Sequence, residues 1–452
     1  TEIYTLSLHD ALPISLQRLD AYERIKSIAY VKDDILHIGT KSWDLSRKKN
    51  VYLIGAGKAC NAMAMAVEEI LGDHLTKGIA IIKVAEETDI FQKTEIFVGG
   101  HPLPNQNGLF ACKKIIDLVD NARAEDLFIV VISGGSSALM SCPIDGISLQ
   151  DEIDTTDIML KSGADIYEIN SIRRHISQLN GGMLAKRIQK TGAELIGFGI
   201  SDAVGSPATK NIGVPYLKYK GTPMGPDQTT FEDARRVIRD YDVANRLPES
   251  VVRHIMNSGP EAETPKAFPD NTYFLLNTLP DSCIYAKEAA EKMGIQAMIV
   301  SSFLEGESRE AGTFFAAIAK EIQTYGNPVK APCVLISSGE TTTRIPDNSA
   351  VSGHGGPGQE LTVGFAIAAS GADGCCMLSI DSEGTDGTTD VAGGLTDSQT
   401  FRLASEKGID LHASLRSHSC YEALHRIGDT VFTGNTGTNL CDLNILYVPE
   451  KN

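Results

Sequence analysis

Residues 127–132 read Leu-Phe-Ile-Val-Val-Ile, six apolar side chains in succession. Neighbouring side chains on a strand point to opposite faces, so a strand built from this run must be covered on both sides. Further candidate strands lie at 51–54, 78–84, 95–98 and 194–199, and helical stretches at 58–71, 107–121, 148–161 and 165–180 separate them. Strands and helices in that alternation predict a parallel sheet with helices on both faces. A second series is expected to begin with strand 272–276. It continues through helix 281–293, strand 296–300, helix 308–323, strand 332–337, helix 359–371 and strand 375–380. Two α/β domains with a cleft between them follow from this organisation. We place them at 16–260 and 270–452. The spacing of Leu16, Leu19, Ile25 and Ile28 predicts a helix over 16–38, and the Gly-, Pro- and Thr-rich stretch 204–229 reads as a long loop.

The chain of 452 residues has room for two or three domains with full cores. Its formal charge of −17 argues against a nucleic-acid or anionic-membrane surface, although a local basic pocket for a small anion remains compatible with it. Nine cysteines without a C-x-x-C pair read as reduced thiols of a cytoplasmic protein. No apolar run reaches the ~18–20 residues of a membrane span. Thr1–Ser15 lack the layout of a signal peptide and join poorly to the helix expected from Leu16, so we expect a non-native or disordered extension that packs weakly.

Chemistry-bearing residues gather after the strands, the end where open α/β sheets bind ligands. Strand 51–54 breaks at Gly55-Ala56-Gly57 and sets Lys58 at the mouth of a helix, where unpaired amides favour an anion. A Walker ending is absent there. A dinucleotide fingerprint lacks its third glycine, Cys60 standing in that place, and an ordinary tight turn fits the same residues. Ser133-Gly134-Gly135-Ser136-Ser137 follows strand 127–132 and offers small residues with hydroxyl donors, although a Ser-capped turn reads the same way. Asn170, Arg173 and Arg174 share a helical face, with His175 beside them, and an arginine fork suits carboxylate or phosphate. A solvated basic face is the plainer reading of that helix. Asp202, after strand 194–199, could hold Mg²⁺ or take a hydroxyl proton. In the second half, Gly339-Glu340-Thr341 and Gly355-Gly356-Pro357-Gly358-Gln359 have the glycine density of a phosphate-approaching loop. Asp386 and Asp390 lie in a carboxylate-rich loop that lacks calcium-loop spacing and could serve Mg²⁺ or ribose.

Taken in order, Gly55-Ala56-Gly57-Lys58-Ala59, Gly100-His101-Pro102, Gly134–Leu139, Asn170–Ser177, Ser201–Gly205, Gly339–Thr342, Gly355–Glu360 and Gly384–Asp390 resemble the glycerate 2-kinase family. The C-terminal half of that family is the MOFRL domain, and the resemblance covers roughly residues 20–447. It implies two Rossmann-like three-layer α/β domains, ATP-dependent phosphorylation of D-glycerate to 2-phosphoglycerate, Mg²⁺, and a catalytic lysine that lands on Lys58. Two departures stand out. Pro357 occupies a position where the family commonly has Arg, whose role could pass to Arg344 or Arg173. The loop after Asp202 reads Ser206-Pro207-Ala208-Thr209 rather than the family's acidic pair and Ala-Ser-Gly-Pro-Thr.

The mechanism expected on this footing is in-line transfer from MgATP to a small hydroxy acid. Lys58, Arg173 and Asp202 are the catalytic candidates, with Gly134, Gly135, Ser136, Ser137, Asn170 and His175 around the substrate. Gly55, Gly57, Gly339, Glu340, Thr341, Gly355, Gly356, Gln359 and Asp386 would contact nucleotide, and Asp202, Glu340 and Asp390 would hold Mg²⁺. Partners are ATP and the acid, with no nucleic acid and no membrane, and a homodimer is left open. The alternatives are an NAD(P)-dependent hydroxypyruvate reductase, supported only by the Gly55–Gly57 turn, and a non-catalytic sugar-acid binding protein, motivated by Pro357.

Overall fold

The computed structural model describes residues 18–87, 89–216, 223–268, 272–345 and 351–451. The extension expected at Thr1–Ser15 lies outside them. The described residues form two compact units: one within Ala21–Ile200 and Asn211–Leu276, the other within 18–20, Ser201–Lys210 and 277–451. Ser201–Lys210, inside the stretch 16–260 expected as one domain, thus clusters with the C-terminal residues.

The first unit opens with helix Ala21–Lys26 and the antiparallel strands β1 (Ala29–Lys32), β2 (Ile35–Ile38) and β3 (Lys41–Asp44), in the order β1-β2-β3. The helix expected over 16–38 is therefore corrected to a single short one. Asp33 and Asp34 both take positive φ, 53° and 62°, the geometry of a tight hairpin turn. Beyond it Leu36 and Ile38 alternate into the core with strand periodicity, which no helix could accommodate.

The main sheet of this unit contains β4 (Val51–Ala56), β5 (Lys77–Ile82), β6 (Thr94–Val98), β7 (Leu127–Ile132), β8 (Glu194–Ser201) and β9 (Thr272–Thr278), ordered β6-β5-β4-β7-β8-β9. Strands β6, β5, β4, β7 and β8 run parallel. In chain order this is 3-2-1-4-5-6, the doubly wound arrangement, with its reversal between β4 and β7. Strand β7 is buried along its whole length, as its unbroken apolar run requires. One face packs Ile54, Ile79 and Val130 against Ala111, Ile115 and Leu184 of helices Gln106–Asp120 and Met183–Lys190. On the other face helix Cys60–Leu71 lies so close that a Cβ on Gly55 would sit 2.5 Å from Cys60 Sγ. Strand 272–276, expected to open the second series, is β9 of this first sheet instead. Its Tyr273 and Leu275 complete the first core, a choice that an apolar run cannot announce by itself.

The other unit holds β10 (Gln296–Glu307), β11 (Cys333–Thr342), β12 (Cys376–Asp381), β13 (Gly393–Asp397), β14 (Thr430–Val431) and β15 (Asp442–Val448), ordered β10-β11-β15-β12-β13-β14. Only β10 and β11 pair in parallel. The remaining ladders are antiparallel, so this is a mixed sheet rather than a second parallel one. Its core joins Leu335, Met377 and Leu446 to Phe315, Leu361 and Phe365 of helices Ser308–Tyr325 and Pro357–Ala368. Among the described residues no helix is long and apolar enough to cross a membrane.

Candidate active site

The reversal between β4 and β7 brings two of the anticipated loops together. The Lys58 amide donates to Gly134 O at 2.9 Å, and the Ala59 amide to Ser133 Oγ at 3.0 Å. Gly57 makes this approach possible: its φ is +138°, and a Cβ there would lie 2.1 Å from Ser133 Oγ. Gly135, at φ +80°, has Lys58 Cγ and the His101 ring within about the same reach, 3.1 and 2.9 Å from a hypothetical Cβ. Lys58 and His101 thus flank one glycine at the switch point. Helix Cys60–Leu71 starts here without a side-chain cap on its first turn, which leaves its amides to other acceptors. Ser136–Leu139 forms only one helical turn, too short for a substantial dipole behind Ser136 and Ser137. Gly55 serves helix–strand packing through its contact with Cys60.

Arg173 reaches the same loop. Its helix, Ile166–His175, starts at a capping box formed by Asp165 and Glu168, and three basic residues close its last turn, where the helix dipole favours cations. Arg173 Nη2 donates to Ser137 O at 3.3 Å, and Nε lies 3.8 Å from Glu152 Oε1. Asn180 Nδ2 donates to the same Ser137 carbonyl at 3.3 Å. Burial pulls the guanidinium of Arg173 below its usual range, and Glu152 pulls it back up. Asn170 is half-buried one turn earlier on the helix.

Asn170, Arg173 and Arg174, grouped on one helical face from their spacing, do not turn to one common partner. Arg174 Nη1 instead meets the fully buried Asp227 at 3.1 Å. His175 is buried against Phe231, with Nδ1 2.6 Å from Ser171 O and Nε2 2.6 Å from Glu263 Oε1. Both ring nitrogens are therefore spent on the protein itself. Burial alone would raise the Glu263 carboxyl, but hydrogen bonds from His175, Lys266 and the Phe231 amide overcome it and hold the group at about 2.

In the other unit, the C-terminal ends of β11 and β12 meet the start of β15. Register pairs Asp442 with Gly339 on one side and with Asp381 on the other. Asp202 joins them: its Oδ2 accepts from Asn439 Nδ2 at 3.2 Å and its carbonyl from Cys441 Sγ at 3.4 Å. Cys441 Sγ also lies 4.0 Å from Glu340 Oε2. Burial, then Asp381, Asp386 and Glu340, push the Asp442 carboxyl well up. Among the described residues no three His, Cys, Asp or Glu side chains converge closely enough to enclose a metal ion. Mg²⁺, however, is often bound by one or two carboxylates together with phosphates and waters, and the hard oxygens of Asp202 and Glu340 suit that mode. Asp390 is drawn elsewhere, to the Tyr421 hydroxyl.

Helix Pro357–Ala368, expected to present its N-terminus to a phosphate, already holds an anion. Asp386 Oδ1 accepts from the Gly358 amide at 3.2 Å and Oδ2 from the Gln359 amide at 2.8 Å. Gly356 is obligatory beside it, since a Cβ would stand 2.2 Å from Asp386 Oδ1. Gln359 is buried and its Nε2 donates to Thr389 Oγ1 at 3.1 Å, whereas Gly355 meets nothing closer than 3.6 Å. Gly339 is fixed by the backbone of Leu304, 2.0 Å from where its Cβ would be. Thr341 is buried behind Asp442, 3.4 Å from Oδ2. Pro357 takes the first helical position, which needs no amide hydrogen. Arg344 is exposed, and its amide donates to Glu307 Oε2 at 3.2 Å.

Burial raises the Asp386 carboxyl from 3.8 to about 6, against the pull of the Gln359 and Gly358 amides. A carboxyl with a raised folded-state pKa holds more protons folded than unfolded, so stability falls as pH climbs between those two values. Asp386→Asn should flatten that part of the profile by up to about 3 kcal/mol, read as urea midpoints at successive pH. Profiles that fall equally steeply in both proteins would contradict this.

His101, Glu152, Asn180 and Asp442 were not singled out from sequence as site residues. His101 stood within the Gly100-His101-Pro102 motif, a signal that could have been used. Asn180 directly precedes the Gly181-Gly182 turn, a second such signal, whereas Glu152 and Asp442 lie outside any glycine-rich turn or catalytic spacing.

Residues 7–256 match a family profile described as a domain of unknown function, DUF4147, and 333–442 match the MOFRL family. A glycerate 2-kinase of Pyrococcus horikoshii is 38% identical over 97% of this chain and 96% of its own length. The crystal structure of a glycerate kinase of Thermotoga maritima superposes with a TM-score of 0.79 at 32% identity, covering 98% of this chain and 100% of that one. A protein with a provisional hydroxypyruvate reductase name in Agrobacterium vitis is 34% identical over 88% of this chain and 86% of its own length.

Proposed function

The chain belongs to the glycerate kinase family, and from that premise we propose that it transfers the γ-phosphoryl group of ATP to the 2-hydroxyl of D-glycerate. The observation that carries this reading is the meeting of Lys58, the Gly134–Ser137 loop and Arg173 around the β4/β7 switch point. Phosphoryl transfer relies on positioning and charge neutralisation, and a lysine and an arginine against one small-residue loop supply both. Arg173 grips the acceptor carboxylate, with Asn170, Ser136 and Ser137 around it. Lys58 neutralises charge on the transferring group. Asp202 takes the hydroxyl proton or, with Glu340, holds Mg²⁺, which when bound neutralises phosphate charge. The protein acts in the cytoplasm without a membrane or nucleic-acid partner.

A dinucleotide reductase is less well supported. The acidic residue that would hold a ribose after the second strand is absent, because β5 runs from Ile82 into Lys83. The purified protein should release ADP in proportion to D-glycerate, with the product assigned to the 2-position by phosphorus NMR. NADH oxidation with hydroxypyruvate and no ADP release with glycerate would overturn the kinase reading.

A further inference from the structure

We propose that Glu152 is a positioning residue for the acceptor acid, a buried carboxylate whose charge aims the Arg173 guanidinium at the substrate. This rests on the reading of Arg173 as the group that grips the acid. Glu152 lies on helix Leu149–Lys161 and is 2% exposed. Its Oε2 accepts from Ser141 Oγ at 2.5 Å, and its Oε1 faces Arg173 Nε at 3.8 Å. The first contact fixes the carboxylate. The second is too long for a hydrogen bond but close enough for strong attraction where water is excluded.

Arg173 is held just as loosely by its other contacts. Among the described residues Nε is buried with no hydrogen-bond partner, and Nη2 makes one bond, at 3.3 Å to Ser137 O. A guanidinium with so few hydrogen bonds takes its orientation from the nearest buried charge. Arg173 is the cation that draws the Glu152 carboxyl down, against the larger upward effect of burial. A salt bridge serving stability alone gains most by closing to hydrogen-bond distance, as Arg174 does on Asp227 at 3.1 Å. The gap at Arg173 leaves the cation oriented with its Nε donor unspent, the state a carboxylate-binding arginine needs before its ligand arrives.

Glu152→Gln keeps the shape and the Ser141 contact while removing the charge. We expect the D-glycerate KM to rise about tenfold and the ATP KM to stay within about twofold, the scale typical of supporting groups behind a ligand-binding residue. In an Arg173→Gln background the same change should add nothing further. An unchanged glycerate KM in folded Glu152→Gln, or an equal rise in both backgrounds, overturns the proposal.

Should Glu152→Gln fail to fold, Ser141→Ala tests the same anchor, with a smaller rise of the glycerate KM expected and no rise counting against the idea. A readout independent of glycerate separates this proposal from the kinase assignment. Methylguanidinium should stabilise Arg173→Ala against heat, relative to sodium chloride of equal strength, and should lose that effect in Arg173→Ala/Glu152→Gln. Stabilisation that survives the loss of the carboxylate would show that Glu152 does not dock the cation.

Discussion

Lys58→Met should lower the turnover number for D-glycerate by about 10²–10³-fold, the loss that follows removal of one donor aimed at developing transition-state charge. The substitution leaves the turn intact. The backbone amide bond of residue 58 to Gly134 O is one that methionine retains. The methionine stem also follows the lysine stem past Gly135, where Lys58 Cγ lies. An unchanged melting temperature with a collapsed turnover number, read by ADP release, is the expected pair of results. If the variant keeps most of its rate, Lys58 has no part in the chemistry.

Arg174→Met should do the reverse, costing about 3 kcal/mol of stability while leaving the glycerate KM near the wild-type value. Arg174 and Arg173 are neighbours in sequence, yet consecutive helical residues point about 100° apart, and only Arg173 reaches the Ser137 loop. Arg174 neutralises Asp227, which is 0% exposed, and truncation leaves that carboxylate buried beside Arg174's empty place. The Thr229 amide and the Thr264 hydroxyl, both 3.0 Å from Asp227, hold the loss near the lower end for a broken buried pair. Urea unfolding measures the first effect and initial-rate kinetics the second. A large glycerate KM increase at full stability would assign the two arginines the other way round.

The contrast between these arginines marks where sequence reasoning stops. A helical face can be laid out from spacing, and Asn170, Arg173 and Arg174 were grouped on that basis. Asp227 and Glu152, the buried charges that divide the pair, come from other segments of the first unit. No local pattern connects them. Helix Pro357–Ala368 offers the same lesson. Its glycine-rich entry reads as a phosphate cradle, but Asp386, distant in sequence, fills the first turn. Composition cannot distinguish a cradle for a ligand from a cradle for the protein's own carboxylate.

What the sequence determined by itself is whatever depends on short-range geometry. The unbroken apolar run of β7 demanded cover on both faces, and the glycines and Lys58 after β4 marked the end of the sheet where ligands bind. The ordered motifs brought in the family. Tertiary structure alone decided the rest, because it depends on which strand lies beside which. It assigned β9 to the first sheet and set β15 antiparallel between β11 and β12. It also placed Asp442 among other carboxylates. Strand pairing is a long-range choice, made by how well whole faces pack, and one strand's residues carry only half of that information.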